Sequence, residues 1–317
     1  MVVFENIIYF LIAGFVLIIS GIYLVKSLSQ IARFLKISEF TAAFIIMAFA
    51  TSIPELFVGI SSAIQGNPSL SLGNILGANI IDLTLLTGIF IVMAREIKFK
   101  SNKVGKGVYF MLSGIILLIV LYLIGNQLSR IDGAILLSLF AINFYRMFKK
   151  REKYKKELKS EISREKGILN AFIFTGSLLA LFLSSKYLVQ YSHLLAIDFN
   201  VPEIIVGLFL ISIATTLPEL IFGINAVRMG HKEMAIGDQS GTVFTNICLV
   251  LGLVAVIHPI TSDIIPFVIS GLFMALSATM FVTFIKSGRK LTLYEGVILI
   301  MLYLIFIIIQ FFVGGCI

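Results

Sequence analysis

Charged residues are scarce in this chain. Lys, Arg, Asp and Glu make up 13% of its 317 residues, against roughly 25% in an ordinary globular protein. Hydrophobic residues reach 59%, a balance that excludes a soluble domain and indicates a polytopic membrane protein. Cysteine is nearly absent. Cys248 lies in an apolar run and Cys316 near the end, which gives neither a disulfide framework nor metal-ligand spacing. The histidines His193, His231 and His258 fall in connections between apolar runs, and none is expected to be a ligand. No Ser/His or paired-Asp arrangement suited to catalysis is found, so neither an enzyme activity nor a cofactor is expected. The start, Met-Val-Val-Phe-Glu, lacks the basic n-region of a secretory signal, and the first apolar run is expected to stay as a helix.

What the chain does have is an acidic, proline-containing motif that occurs twice. Ala50-Thr51-Ser52-Ile53-Pro54-Glu55-Leu56 is matched 164 residues later by Ala214-Thr215-Thr216-Leu217-Pro218-Glu219-Leu220. The register continues without a gap. Gly59 meets Gly223, Gly66 meets Gly230, Gly73 meets Gly237, Gly77 meets Gly241, Asn74 meets Asp238 and Asp82 meets Asn246. Proline within a helix removes a donor and clashes with the carbonyl four residues back, so Pro54 and Pro218 are expected to free the carbonyls of Ala50 and Ala214. The residue before each proline is pushed from helical geometry, which predicts breaks in both helices. Hydroxyl, carboxylate and carbonyl oxygens then gather within one turn, the ligand type that hard cations such as Ca2+ prefer. In lipid such a break survives where protein or a water-filled cavity covers it. Paired interruptions in two halves of a chain point to a transporter's midplane site.

Apolar runs near the 20 residues needed per crossing predict ten spans, at about 6–25, 39–64, 70–94, 106–124, 131–148, 168–189, 203–228, 235–257, 264–285 and 294–314. The expected fold is an all-α membrane protein of ten transmembrane helices in two five-helix repeats, 1–148 and 168–317, with helices 2 and 7 broken. Residues 149–167 form a basic linker between them. Five spans per half is an odd number, so the repeats are inverted. The formal charge of +8 could suggest nucleic acid, but its distribution decides otherwise: 23 of the 25 basic residues fall on one side of that topology, and Arg130 and Lys186 are the exceptions. Basic residues mark the cytoplasmic face. The linker is therefore expected inside and both termini outside, in the cell membrane. The linker reads as a solvated orienting loop, with a lipid-binding patch as the alternative.

Gly73 and Gly77, and again Gly237 and Gly241, stand four apart, a spacing that lets membrane helices pack closely. That packing is expected to set span 3 against span 2 and span 8 against span 7, so that Asp82 and Asn246 face Glu55 and Glu219. Ionisable residues inside spans are functional by default, and Glu55, Glu219 and Asp82 are candidates for a cation site. Asp238, near the start of span 8, is either a residue on the way in or a solvated cap. Thr51, Ser52, Thr215 and Thr216 either bind the ion or satisfy helix backbone. Asn79, whose counterpart is Val243, is assigned no role.

These motifs resemble those of the calcium/cation antiporter superfamily and, within it, prokaryotic sodium/calcium exchangers. The resemblance covers both halves: Thr51-Ser52-Ile53-Pro54-Glu55 with Gly73-Asn74 and Asp82, then Thr215-Thr216-Leu217-Pro218-Glu219 with Gly237-Asp238 and Asn246. It implies exchange of Ca2+ for Na+ by alternating access at a central carboxylate site, with spans 1 and 6 moving. The candidate metal set is Glu55, Glu219, Asp82, Asn246, Thr51, Ser52, Thr215, Thr216, Thr242, Ala48 and Ser212, with Asn74 and Asp238 on the ion pathway. The expected partners are the two ions and the bilayer, without nucleic acid or an obligate protein. Two departures stand out. Ala78 takes a position where this branch often has Ser, and the acid–amide pair is reversed, with Asp82 in the first repeat and Asn246 in the second. A proton-coupled antiporter is the alternative, although Gly73-Asn74-Ile75-Leu76 and Gly237-Asp238-Gln239-Ser240 lack the Glu typical of that branch. A cation channel is a third possibility.

Overall fold

The computed structural model describes residues 2–34, 51–98, 103–149, 164–288 and 290–313. Ala48, Ala50, most of the 149–167 linker and Cys316 lie outside them. The order begins with α1 (Val2–Phe34), α2 (Ile53–Ile64) and α3 (Pro68–Ile81). A π-helical turn, Asp82–Leu86, carries α3 into α4 (Thr87–Ala94). Then come β1 (Glu96–Lys98), α5 (Lys103–Gly125), α6 (Arg130–Lys149) and α7 (Arg164–Asp198). In the second half α8 (Glu203–Val206) runs through a π turn, Gly207–Ile211, into α9 (Ser212–Arg228). α10 (Lys232–Thr245) runs through another, Asn246–Leu251, into α11 (Gly252–Ile257). The order ends with α12 (Ile264–Gly288), β2 (Lys290–Thr292) and α13 (Leu293–Val313).

Among the described residues, eight helices are long and apolar enough to cross a bilayer. Expected span 2 is represented by α2 alone, since residues 35–50 are outside the described set. Expected span 5 is α6, whose 20 residues reach about 30 Å at 1.5 Å per residue. Span 6 is longer than hydropathy suggests. α7 runs on to Asp198 and carries His193, which therefore lies on a helix rather than in a connection.

The proline motifs behave differently in the two halves. The helix breaks before Pro54: Ser52 sits in a turn with φ −77° and ψ 0°, and α2 restarts at Ile53. Pro218 lies inside α9 with no interruption at Leu217, so the expected break of helix 7 at its proline is not found. Hydroxyls back-bond in the turns before Pro218. Thr216 donates to Ser212 O at 2.9 Å, Thr215 to the same oxygen at 3.3 Å, and Ser212 to Leu208 O at 2.5 Å. These bonds end on Ser212 and Leu208 rather than on Ala214, whose carbonyl is the one that Pro218 leaves without its backbone donor.

The stretch 68–94 is the most enclosed, 83% of its apolar window being buried, against 22% for the window in α7. The glycines of α3 produce this enclosure, but not in the expected direction. A β-carbon on Gly73 would collide with the backbone carbonyl of Ile204, and one on Gly77 with that of Leu208. α3 therefore packs by close backbone contact on the first turns of helix 7, across the two halves. α1 packs along α7, and the two share an apolar cluster with α2 built on Leu17, Leu24, Leu181, Leu188 and Val58. Gly21 of α1 rests against both motif prolines: a β-carbon there would lie 2.8 Å from Pro218 Cγ and 3.2 Å from Pro54 Cγ. The outer faces of α1, α7 and α13 expose large apolar side chains such as Phe15, Phe172 and Phe312, as a lipid-facing surface does.

Polar contacts join the connections in separate groups. β1 pairs antiparallel with β2, and Lys232 Nζ donates to Ala94 O at 3.0 Å and Glu96 O at 3.2 Å. Elsewhere Leu128 and Ile260 exchange backbone bonds, and Tyr122 donates to Ser262 O at 3.0 Å. Asn6 donates to Asp198 at 2.8 Å, Ser69 to Glu203 at 2.5 Å, and Gln65 to Lys186 O at 3.2 Å. Each of these contacts joins connections or helix segments that the ten alternating crossings expected from the sequence would place on the same side.

The β1–β2 pair carries a pH prediction. Hydrogen bonds from Lys290 and then Lys98 hold the Glu96 carboxyl below its ordinary value. A depressed acid contributes stability above its unfolded pKa and loses it as pH falls through the folded value. Protection factors for amide exchange at residues 96–98 and 290–292, corrected for the intrinsic rate at each pH, are expected to be high at neutral pH and to fall on acidification below the ordinary glutamate range. Glu96→Gln should remove that dependence. The effect is small because the group is exposed.

Candidate cation-binding site

Four elements deliver the candidate residues to one buried layer. The turn before α2 carries Thr51 and Ser52, with Glu55 in its first helical turn. α9 brings Ser212, Thr215, Thr216 and Glu219. α3 supplies Asn74 and ends at Asp82, while α10 supplies Asp238 and Thr242 and ends at Asn246. All of these side chains are buried, none exceeding 3% exposure. Asp82 and Asn246 each open a π turn. The wider turn shifts the helix phase at the two positions that are equivalent in the repeat.

Hydrogen bonds knit the layer across the halves rather than within them. Thr51 Oγ1 and Thr242 Oγ1 are 3.4 Å apart, and Thr215 Oγ1 donates to Asn74 Oδ1 at 3.0 Å. Asn246 Nδ2 donates to Asn79 Oδ1 at 3.2 Å, and Asn79 Nδ2 to Met274 Sδ at 3.7 Å. The Gln239 amide, with its nitrogen turned toward Asp82, donates to Oδ1 and to the backbone oxygen of Asp82, both at 3.1 Å. The Thr215 hydroxyl also lies beside Glu55. Glu55, Asp82, Glu219 and Asp238 are near enough for their charges to interact: Glu219 is in Coulombic reach of the other three, and Asp82 of Glu55 and Asp238.

The acceptors that remain are informative. Both carboxylate oxygens of Glu55, Glu219 and Asp238, one of Asp82, and Oδ1 of Asn246 are buried without a hydrogen-bond partner. Among the described residues no salt bridge reaches any of these acids. An ionised carboxylate buried without a partner costs several kcal/mol even after relaxation. Oxygen acceptors left open in this way are what a hard cation takes. Among the described residues no three His, Cys, Asp or Glu side chains are close enough to chelate an ion by themselves. Amide, hydroxyl or backbone oxygens have to complete any coordination shell.

Two sequence readings are corrected, those of Asp238 and Asn79. Asp238 was expected on the way in or as a solvated cap; it is 1% exposed, on a helix packed between α5 and α9, so it is not a solvated cap. The hydroxyls of Ser212, Thr215 and Thr216 do satisfy backbone or amide acceptors, which leaves their oxygen lone pairs for an ion. Asn79 was assigned no role, yet it holds Asn246 so that Oδ1 is left open. Gln239, which holds Asp82, went unremarked. Each is polar in one repeat and apolar in the other, Asn79 against Val243 and Gln239 against Ile75, so repeat comparison passes over both. Ala48 lies outside the described residues.

The chain is similar to known membrane proteins along most of its length. The chain is 27% identical to the sodium/calcium exchanger MaX1 of Methanosarcina acetivorans, over 96% of this chain and 98% of that protein. It is 31% identical to the inner membrane protein YrbG of Escherichia coli, over 78% of this chain and 79% of that one. Its fold matches that of the sodium-calcium exchanger NCX_Mj soaked with Na+ and Sr2+, at a TM-score of 0.69 and 22% identity, covering 96% of this chain and 99% of that one. The family model described as "Sodium/calcium exchanger protein" matches residues 5–149 and 169–312. With that match spanning both halves and both motifs, the chain belongs to the sodium/calcium exchanger protein family.

Proposed function

We propose that this protein is a secondary antiporter that exchanges Ca2+ for Na+ across the cell membrane at the buried carboxylate layer. The observation that carries this reading is the set of buried acid oxygens without partners, brought from both halves to one level. The names of MaX1 and NCX_Mj support the choice of ions. Glu55 and Glu219 are the principal Ca2+ ligands, and Asp82 adds charge. Asn246, Thr51, Ser52, Thr215, Thr216, Thr242 and Ser212 supply neutral oxygens, and Asn74 and Asp238 line the pathway.

Exchange follows from charge. Empty, the cluster would hold uncompensated carboxylates in a low-dielectric setting, and apolar gates would have to close over them. One Ca2+ or several Na+ ions remove most of that penalty, so the loaded forms switch and the empty form does not. The α1–α7 pair, packed along each other, is the group that moves against the rest around a fixed site. Residues 1–148 and 168–317 are the two inverted repeats. The side-specific grouping of connections and the basic asymmetry support an inside linker and outside termini. A cysteine in place of Lys155 is expected to react with an impermeant reagent after permeabilisation, and labelling of intact cells would reverse the orientation.

The function is tested in proteoliposomes by Ca2+ uptake against an outward Na+ gradient, compared with K+ and pH gradients at matched ionic strength. Sodium-driven uptake, with Na+ competing for Ca2+, is the expected result. A proton-coupled antiporter is the second reading, favoured by Ala78 in place of a hydroxyl and by the fourth buried acid, Asp238. Uptake driven by pH alone would select it, and passive conductance without a counter-ion would mark a channel.

A further inference from the structure

Asp238 is the acid that the exchange reading least requires. Its repeat equivalent, Asn74, is neutral, and its oxygen is satisfied, with Thr215 Oγ1 donating to Oδ1 at 3.0 Å. A neutral polar side chain therefore serves the packing at that register. Asp238 instead places a carboxylate there, 1% exposed and with neither oxygen hydrogen-bonded. Its neighbour in charge, Asp82, has one carboxylate oxygen held, since the Gln239 amide donates to Oδ1 at 3.1 Å, with a second bond at 3.1 Å to the Asp82 backbone oxygen. A Ca2+ between Glu55 and Glu219 is balanced by those two acids. Of the two acids left over, Asp82 keeps one open oxygen and Asp238 keeps both, so Asp238 is the less satisfied of the two and carries one charge of its own. Thr242 stands one turn further along α10, on the same face, with its hydroxyl 3.4 Å from that of Thr51. One carboxylate, with a hydroxyl on the same helix face, matches the single charge of a monovalent ion, whereas Asp238 alone would balance only half the charge of a Ca2+.

We propose that Asp238 forms a sodium site of its own beside the Glu55–Glu219 pair, adding one Na+ to the number exchanged for each Ca2+. The inference rests on the exchange reading above. It is tested with Asp238→Asn, which copies the Asn74 register; if that variant is not recovered folded, Asp238→Ser takes its place. Purified protein is titrated with 22Na+ and 45Ca2+ to count bound ions. In proteoliposomes, the Ca2+ gradient sustained by a set Na+ gradient gives the coupling ratio as a logarithmic slope. The variant is expected to bind one Na+ fewer, and its slope to fall by one unit. An Na+ count equal to wild type overturns the proposal. So does loss of bound Ca2+ at an unchanged Na+ count, which would make Asp238 a calcium ligand. Loss of proton release on Ca2+ binding at an unchanged Na+ count would give the carboxyl to a proton instead and also overturn it. Wild-type protein without Na+-driven Ca2+ uptake fails the exchange reading, whereas wild-type exchange with an unaltered variant count fails this inference alone.

Discussion

Glu55→Gln and Glu219→Gln are each expected to lower Na+-driven Ca2+ uptake to the level of protein-free vesicles. Glutamine keeps the shape and removes the charge. Both oxygens of each carboxylate are buried without a hydrogen bond, so no neighbouring protein group replaces what is lost. Removing one member of a buried charge pair costs about 3–5 kcal/mol, and each 1.4 kcal/mol is tenfold in affinity. Ca2+ binding should weaken by roughly 10²- to 10³-fold or more. The same substitution relieves repulsion in the empty cluster, where Glu219 feels Glu55, Asp82 and Asp238. The Ca2+-free thermal midpoint should therefore match or exceed that of wild type. Calcium addition, which raises the wild-type midpoint by linkage, should no longer do so. Wild-type uptake in either variant would remove the residue from the site, and a lowered Ca2+-free midpoint would make its role structural.

The second large effect is on folding. Gly73→Ala should sharply reduce the yield of folded protein and lower its midpoint, with Gly73→Val worse. The added carbon meets the carbonyl, carbonyl carbon and Cα of Ile204, all backbone atoms. The contact is equally tight from the other side, since a β-carbon on Gly207 would collide with Leu70 O and lie 2.7 Å from Asn74 N. No flexible side chain is present to yield. Overpacking typically costs about 1–3 kcal/mol, occasionally more, and this contact belongs at the upper end. Asn74 and Thr215 sit on the same seam, so any survivor should also lose ion affinity. Gly176→Ala is the control: it lies on α7 with nothing within 4 Å, and in a helix it should gain stability, by roughly 0.5–1 kcal/mol. Equal midpoints for Gly73→Ala and Gly176→Ala would refute the close contact.

The repeated motif made much of the site legible. Glu55, Glu219, Asp82 and Asn246 could be found because internal repetition separates a functional acid from a chance one. Their burial follows from the apolar runs around them. What could not be read was direction. A glycine pair shows that two backbones approach closely but not which ones, so Gly73 and Gly77 were set against α2 when they meet Ile204 and Leu208. Hydropathy likewise gives depth by counting from the end of a run. That placed Asp238 near a surface, although neighbouring helices enclose it. Pro218 shows the same limit, because the motif alone does not say whether a proline breaks its helix or is carried inside it, and α9 runs through Pro218 where α2 begins afresh at Ile53.

Gly21 has a mechanical consequence. It touches Pro54 and Pro218 together, so one residue of α1 senses the spacing of both motifs at a single notch. Its repeat equivalent on α7 is Ser185, whose hydroxyl lies 3.0 Å from that of Ser61 on α2. The two long helices therefore meet the core differently, α7 through a hydroxyl tether and α1 through bare backbone on smooth rings. An advance of α1 by one residue, about 1.5 Å, replaces that backbone with the flank of a side chain and wedges the prolines apart. Were α1 to slide along the core, the notch would be a stopping point that both prolines set jointly.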